Sequence, residues 1–321
     1  MDALWSILKN VIIFVALAMP GYILVKTKIL KSSESGALSK LLTYVGMPFL
    51  ILSSTMSINL NADFALTAGL SAVFCLIITF GAFFLSGLTP TKKSDGEQPC
   101  YDTTRGAMRF SMIFSNNGFL GIPLAMAVFA DNPTIVAIVV IMNIINNLCL
   151  YTAGSYLISG DKSTVSVKKA LFNPLIIAFA LGIILNLSGV NNYVPEISEY
   201  SNYLKNIVTP VSMIILGIKL ADIKISTLFT SRLGYVVSVV KLVVLPIVAT
   251  AIAFLLAVIF NLSNDIVFGF FIAFAMPTAG LAPTLADTYG GDTKNATVFT
   301  LSSTILSVLT IPLLYMLLCL I

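Results

Sequence analysis

Histidine is absent from the 321 residues, and only 10% of them are charged, against roughly 25% in a soluble domain. Without an imidazole there is neither a histidine zinc ligand nor a histidine proton relay near neutral pH, so proton coupling falls to carboxylates. Cysteine is scarce as well. Cys75, Cys149 and Cys319 lie in apolar runs and Cys100 in a charged segment. None has the close spacing of metal ligands, and all four are expected to be free thiols. No metal cluster or nucleophile and base pair stands out, and no segment is long enough for a soluble catalytic domain, which argues against an enzyme. A net charge of +4 would suit an acidic partner in a soluble protein. Here the basic residues collect between apolar runs, so nucleic acid is not expected as a partner.

What is abundant is apolar side chain, 58% of the chain, with a mean hydropathy of +0.99. This is the composition of a polytopic all-α membrane protein. The first apolar run is not expected to be a signal peptide, since Lys26, Lys28 and Lys31 follow it and no small-residue cleavage pattern does. About 30 Å of hydrocarbon is crossed by roughly 20 residues at about 1.5 Å each. Ten stretches meet that length or come near it: Ile7 to Val25, Ala37 to Ile58, Phe64 to Leu88, Ala107 to Ala130, Thr134 to Ile158, Ala170 to Leu187, Leu204 to Leu220, Leu233 to Leu262, Ile266 to Tyr289 and Ala296 to Ile321.

Lys and Arg favour the odd-numbered loops: Lys26, Lys28, Lys31 and Lys40; Lys92, Lys93, Arg105 and Arg109; Lys162, Lys168 and Lys169; Lys219, Lys224 and Arg232; and Lys294. The even loops, such as Asn59 to Asp63, Asp131 to Pro133 and Asn261 to Asp265, are nearly free of them, Lys205 being the exception. Cytoplasmic loops carry the excess of cations, so both termini are expected outside the cytoplasm of a cell-membrane protein.

The chain also repeats itself. A shift of about 160 residues pairs Pro123 with Pro283, Phe129 with Tyr289, the Asp131 loop with the Asp292 loop, Asn143 with Ser303 and Asn147 with Ser307. A shift of about 161 pairs Gly21 with Gly182, and one of about 162 pairs Pro48 with Pro210. Five spans in each half is an odd number, so homologous halves, 1–160 and 161–321, enter the membrane from opposite sides as a 5+5 inverted repeat.

Two segments interrupt their runs at matching places. Ser115 to Pro123 contains Asn116, Asn117, Gly118, Gly121 and Pro123; Met276 to Pro283 contains Pro277, Thr278, Ala279, Gly280 and Pro283. Proline removes a donor and glycine permits close backbone approach, while Asn supplies donor and acceptor. A single such motif reads as a proline kink. Its second copy points to paired broken helices and a substrate site near mid-depth, where half-helix ends present N–H groups to an anion. Asn143, Asn146 and Asn147 share one helical face, matched by Thr300, Ser303, Ser307 and Thr310. That stripe either lines an ion or substrate site or packs helices together; packing is the preferred account of Asn146. Lys241 and Asp287 are intramembrane charges with uncharged repeat mates, Gly81 and Ala127. Lys241 is expected to snorkel to the interface. Asp287 either carries a coupling proton, its affinity raised by burial, or reaches the cytoplasmic mouth. Arg105 and Arg109 either gather anions at the entrance or anchor the helix.

Asn116 placed seven residues before Pro123, the Gly121-Ile122-Pro123 triplet, the double-proline ninth run and the closing Ile311-Pro312-Leu313 resemble the auxin efflux carrier family over essentially the whole chain. The resemblance implies a fold shared with bile-acid symporters and sodium/proton antiporter-like carriers, with helices 4 and 9 crossing at their breaks. Helices 1, 2, 6 and 7 would be a scaffold, and 3 to 5 with 8 to 10 a transport unit. Asn116 would meet a substrate carboxylate. Bacterial members include malate and malonate permeases. The long cytoplasmic loop of the plant carriers is missing here. The expectation is a secondary transporter of small carboxylates, possessing no cofactor, coupled where coupled at all to H⁺ or Na⁺, and partnered by substrate, lipid bilayer and a second copy as homodimer. The alternative is a sodium-coupled symporter of the bile-acid type, with Asn143, Asn147 and Ser303 holding Na⁺. A channel is the third reading.

Overall fold

Apolar runs such as these must become helices, because inside a bilayer a backbone N–H or C=O is satisfied only by its own segment or by neighbouring protein. The computed structural model describes residues 2–58, 60–87, 102–129, 132–165, 168, 172–190, 193–221 and 230–320. Asn59, Leu88, Lys92, Lys93, Cys100, Ala130, Asp131, Lys169, Ala170, Lys224 and Ile321, named above, lie outside the described residues.

Among the described residues the main helices, in chain order, are α1 (Asp2–Lys26), α2 (Ser32–Met56), α3 (Ala62–Ser86), α4 (Thr103–Ile113), α5 (Asn117–Val128) and α6 (Pro133–Ser159). There follow α7 (Pro174–Leu187), α8 (Glu196–Ala221), α9 (Arg232–Phe260), α10 (Asp265–Ala275), α11 (Ala282–Thr288) and α12 (Thr293–Leu318). Six of them, α2, α3, α6, α8, α9 and α12, are long and apolar enough to cross a membrane. The fourth and ninth apolar stretches are each split in two, giving α4 with α5 and α10 with α11. The seventh begins earlier than its apolar run. Its opening turns, from Glu196, are polar, and they place Lys205 on helix rather than in a loop, where its ammonium donates to Ser53 Oγ at 3.1 Å.

Short polar side chains start the helices by accepting orphan first-turn N–H groups. Asn61 caps α3, Asp102 caps α4 and Asn132 caps α6. Asn173 caps α7, Ser231 caps α9 and Asp292 caps α12. Pro133 and Pro174 follow their caps directly, where a missing N–H costs nothing.

Glycines set the closest approaches. A methyl group at Gly21 of α1 would lie 2.0 Å from the Ile214 carbonyl oxygen of α8, and one at Gly217 of α8 would lie 1.8 Å from that of Ala18 of α1. These two backbones touch, as small residues allow in membrane helices. In the same way Gly182 of α7 sits against Thr55 of α2. Three apolar clusters fill the interior around α6, α10 and α12. Phe129, Phe268, Phe271 and Tyr315 form one aromatic group, with ring centroids 5.6 to 6.3 Å apart.

Candidate functional site

Each break solves the other's hydrogen-bonding problem. Phe114 and Met276 turn to extended backbone at the ends of α4 and α10. Ser115 and Thr278 then pair as an isolated antiparallel bridge. Asn116 N–H donates to the Pro277 carbonyl at 2.8 Å and Ala279 N–H to that of Phe114 at 2.9 Å. Backbone at this depth must be satisfied within the protein, and two segments of helix-breaking composition do so only by meeting.

Neighbouring side chains hold the bridge. Asn146 clasps Ser115: its Nδ2 donates to the Ser115 carbonyl at 3.1 Å and its Oδ1 accepts the Ser115 N–H at 3.3 Å. Thr278 N–H donates to Ser303 Oγ at 3.2 Å, and Thr278 Oγ1 donates to the Ser111 carbonyl at 2.8 Å. Lys241, wholly buried, donates from Nζ to Ser115 Oγ and, at 3.4 Å, to the Ile113 carbonyl. It does not snorkel. Ser115 and the carbonyl end of α4 offer its ammonium partners inside the protein.

Two cavities, each with about 40 Å³ of space open to water, meet at Asn116, Phe119, Gly280 and Leu281. The first is also lined by Gly118, Asn143, Asn146, Asn147 and Ala279, with Thr43, Tyr151 and Asn173. The second is lined by Pro283, Ser212, Lys219, Thr297 and Thr300. Among the described residues no acidic side chain lines either. Asn143 Oδ1 accepts from Asn147 Nδ2 at 3.1 Å, while Asn143 Nδ2 and Asn117 Oδ1 are buried with no partner. Such orphans are costly enough to call for a ligand or water.

The residues singled out in the sequence divide into three groups. Asn116, Gly118, Asn143, Asn147, Ala279, Gly280 and Pro283 line the cavities. Pro277, Thr278, Ser303 and Lys241 build or brace the bridge, and Asn117 and Gly121 form the widened turn that opens α5 beside it. A methyl group at Gly121 would sit 3.1 Å from Met276 Cγ. Pro123, buried in α5, and Ser307, whose hydroxyl donates to the Thr304 carbonyl at 2.7 Å, line neither cavity. Asp287 is exposed on α11 and lines neither cavity. Arg105 donates to the Gly87 carbonyl at 2.6 Å, and Arg109 donates to the Phe83 carbonyl and stacks on that ring; both tie α4 to the end of α3. Cys75, Cys149 and Cys319 are free thiols.

Sequence reasoning misses Phe119, Ser212 and the cavity role of Lys219, which reads as a loop cation. Ser212 lies seven residues before Lys219, on one face of α8, and donates to the Phe119 carbonyl at 3.2 Å. That spacing is the available signal.

Two comparisons agree with this architecture. The family described as "Membrane transport protein" matches residues 6–167 and 161–315. An uncharacterised transporter of Methanothermobacter thermautotrophicus is 27% identical over 314 residues, covering 95% of this chain and 96% of that protein. Another, from Methanocaldococcus jannaschii, is 26% identical over 291 residues, covering 88% and 90%. The chain belongs to the auxin efflux carrier family of membrane transport proteins.

Proposed function

We propose that this protein is a secondary transporter of small organic anions, carboxylates such as malate or malonate in the first place, working by alternating access around the paired breaks. One observation carries the proposal. Asn116 and Gly280, one from each break, join two cavities whose unpaired polar groups include the Asn143 amide donor and whose only charged side chain among the described residues is the Lys219 cation. Half-helices beginning at Asn117 and Ala282 add first-turn N–H groups and positive dipole ends. Such a lining favours an anion over a cation.

In this reading the helices form ten spans in two inverted repeats, 1–160 and 161–321, with α1, α2, α7 and α8 as scaffold and the remainder as the moving unit. Pairs of contacts related by the repeat shift support it. Asn132, the cap of α6, donates to Asp265 Oδ1 in the first turn of α10 at 2.8 Å. Asp292, the cap of α12, accepts from Thr104 in the first turn of α4 at 2.6 Å. Gly21 on α8 and Gly182 on α2 make a second such pair. The protein would sit in the cell membrane with both termini outside the cytoplasm. On that orientation Thr43, Tyr151, Lys219 and Thr297 place the cavities toward the cytoplasm, and the Phe129, Phe268 and Tyr315 group closes the outer side. In this reading, loading and release proceed as the moving unit shifts against the scaffold.

Sodium coupling is the second reading, and the orphan Asn117 Oδ1 favours it as a hard oxygen ligand. The oxygens first considered for it are engaged otherwise, since Asn143 accepts from Asn147 and Ser303 accepts from Thr278.

Uptake and exchange of mono- and dicarboxylates in proteoliposomes test the proposal. Asn116→Ala is expected to lower transport about 10- to 100-fold, the worth of a hydrogen bond to a charged group, with expression retained. No transport by the wild-type protein across the panel, or full activity of the variant, counts against it.

A further inference from the structure

Lys241 is the one fully buried charged side chain among the described residues. Its ammonium caps α4, donating to the carbonyl of Ile113, the last residue of that half-helix, and to Ser115 Oγ in the bridge. No carboxylate pairs with it among the described residues. A widened turn, Val240–Val244, brings it inward from α9. A helix ending at mid-depth leaves carbonyls without intrahelical partners and the negative end of its dipole exposed. In carriers with broken helices, such C-terminal ends and unwound carbonyls are where a coupling cation binds. Here a tethered cation already stands at that end.

We propose that the Lys241 ammonium is a resident substitute for a coupling cation, held at the end of α4 throughout the cycle. It rests on the carrier reading above and decides its coupling. The ammonium holds Ser115, which with Asn116 lines the first cavity, while Lys241 itself does not line it, so it offsets substrate charge without binding or releasing an ion. Transport is then independent of Na⁺. A mobile cation has no place at this end of α4, because the Ile113 carbonyl and the Ser115 hydroxyl that would ligate it are spent on Nζ.

The test is uptake of a carboxylate panel by the full chain in proteoliposomes, in Na⁺, K⁺ or choline media at matched membrane potential. Wild-type rates are expected to agree across the three media. Lys241→Met should lose about tenfold or more, as expected for removing a charge-assisted contact, while Lys241→Ala should regain activity when methylammonium or Na⁺ is added, because a small cation refills the vacated site. A lysine that merely packs the helices would not be rescued in this way. Wild-type uptake that collapses in choline, Lys241→Met at the wild-type rate, or a folded Lys241→Ala that neither cation rescues overturns the inference while leaving the carrier intact. Absence of wild-type uptake in every medium overturns the carrier reading and the inference together.

Discussion

At the scale of single residues, a buried donor without an acceptor attracts an anion more strongly than a paired one, because its desolvation has already been met by folding. Asn143 Nδ2 has that character, and the half-buried Lys219 adds a cation to the second cavity. Lys219→Gln is therefore expected to raise KM for a carboxylate about tenfold or more, with a smaller change in kcat, whereas Lys219→Arg keeps most of the affinity; initial uptake rates against concentration measure both. Equal KM in the Gln variant would remove Lys219 from the site. Asn116, Gly118 and Gly280 are legible from residue type alone, since helix breakers inside an apolar run are tolerated only where protein encloses the backbone they free. Lys219 is not, because a lysine near a helix end looks the same whether it anchors the helix or lines a cavity. Lys241 misleads for a similar reason: a long aliphatic stem suits both a snorkelling lysine and one reaching inward to a carbonyl.

At the scale of elements, caps and close approaches hold the broken helices in place. Burial works to raise the Asp292 carboxyl, but hydrogen bonds from Asn295 and Thr104 and the charge of Lys294 outweigh it and hold the group below the usual range. A depressed carboxylate stabilises the fold above its unfolded pKa, near 4, and that contribution is lost as pH falls through the lower folded value. Asp292→Ala should cost about 1 kcal/mol as a lost cap, and thermal unfolding in detergent against pH should show a flatter acid limb than the wild type. An unchanged acid limb would separate Asp292 from the acid response. Gly217→Leu should separate α1 from α8, since its first side-chain carbon already meets the Ala18 carbonyl at 1.8 Å. A loss of about 1 to 3 kcal/mol or more, typical of overpacking, would appear as a lower Tm. The Asn-Pro caps at Asn132 and Asn173 could be foreseen from local chemistry. The cross-contacts Asn132 to Asp265 and Thr104 to Asp292 could not, because each joins residues more than 130 positions apart.

At the scale of the whole molecule, the proposed inverted arrangement makes a topological prediction. Cys319 is exposed near the C-terminus, so in a Cys100→Ser background a membrane-impermeant maleimide should label it in right-side-out vesicles, and Ser163→Cys only in inside-out ones. The reverse pattern would invert the orientation and place the cavities on the outer side. Membership of an all-helical transport family and the location of the two breaks followed from the sequence itself, because a bilayer allows few folds to an apolar chain and punishes unwound backbone wherever it is not enclosed. Which groups the breaks use on one another was decided only by tertiary structure. The Ser115 to Thr278 bridge, the Asn146 clasp and the Lys241 cap depend on two helix ends being brought to one point from opposite halves of the chain, and no local pattern of side chains encodes that distance.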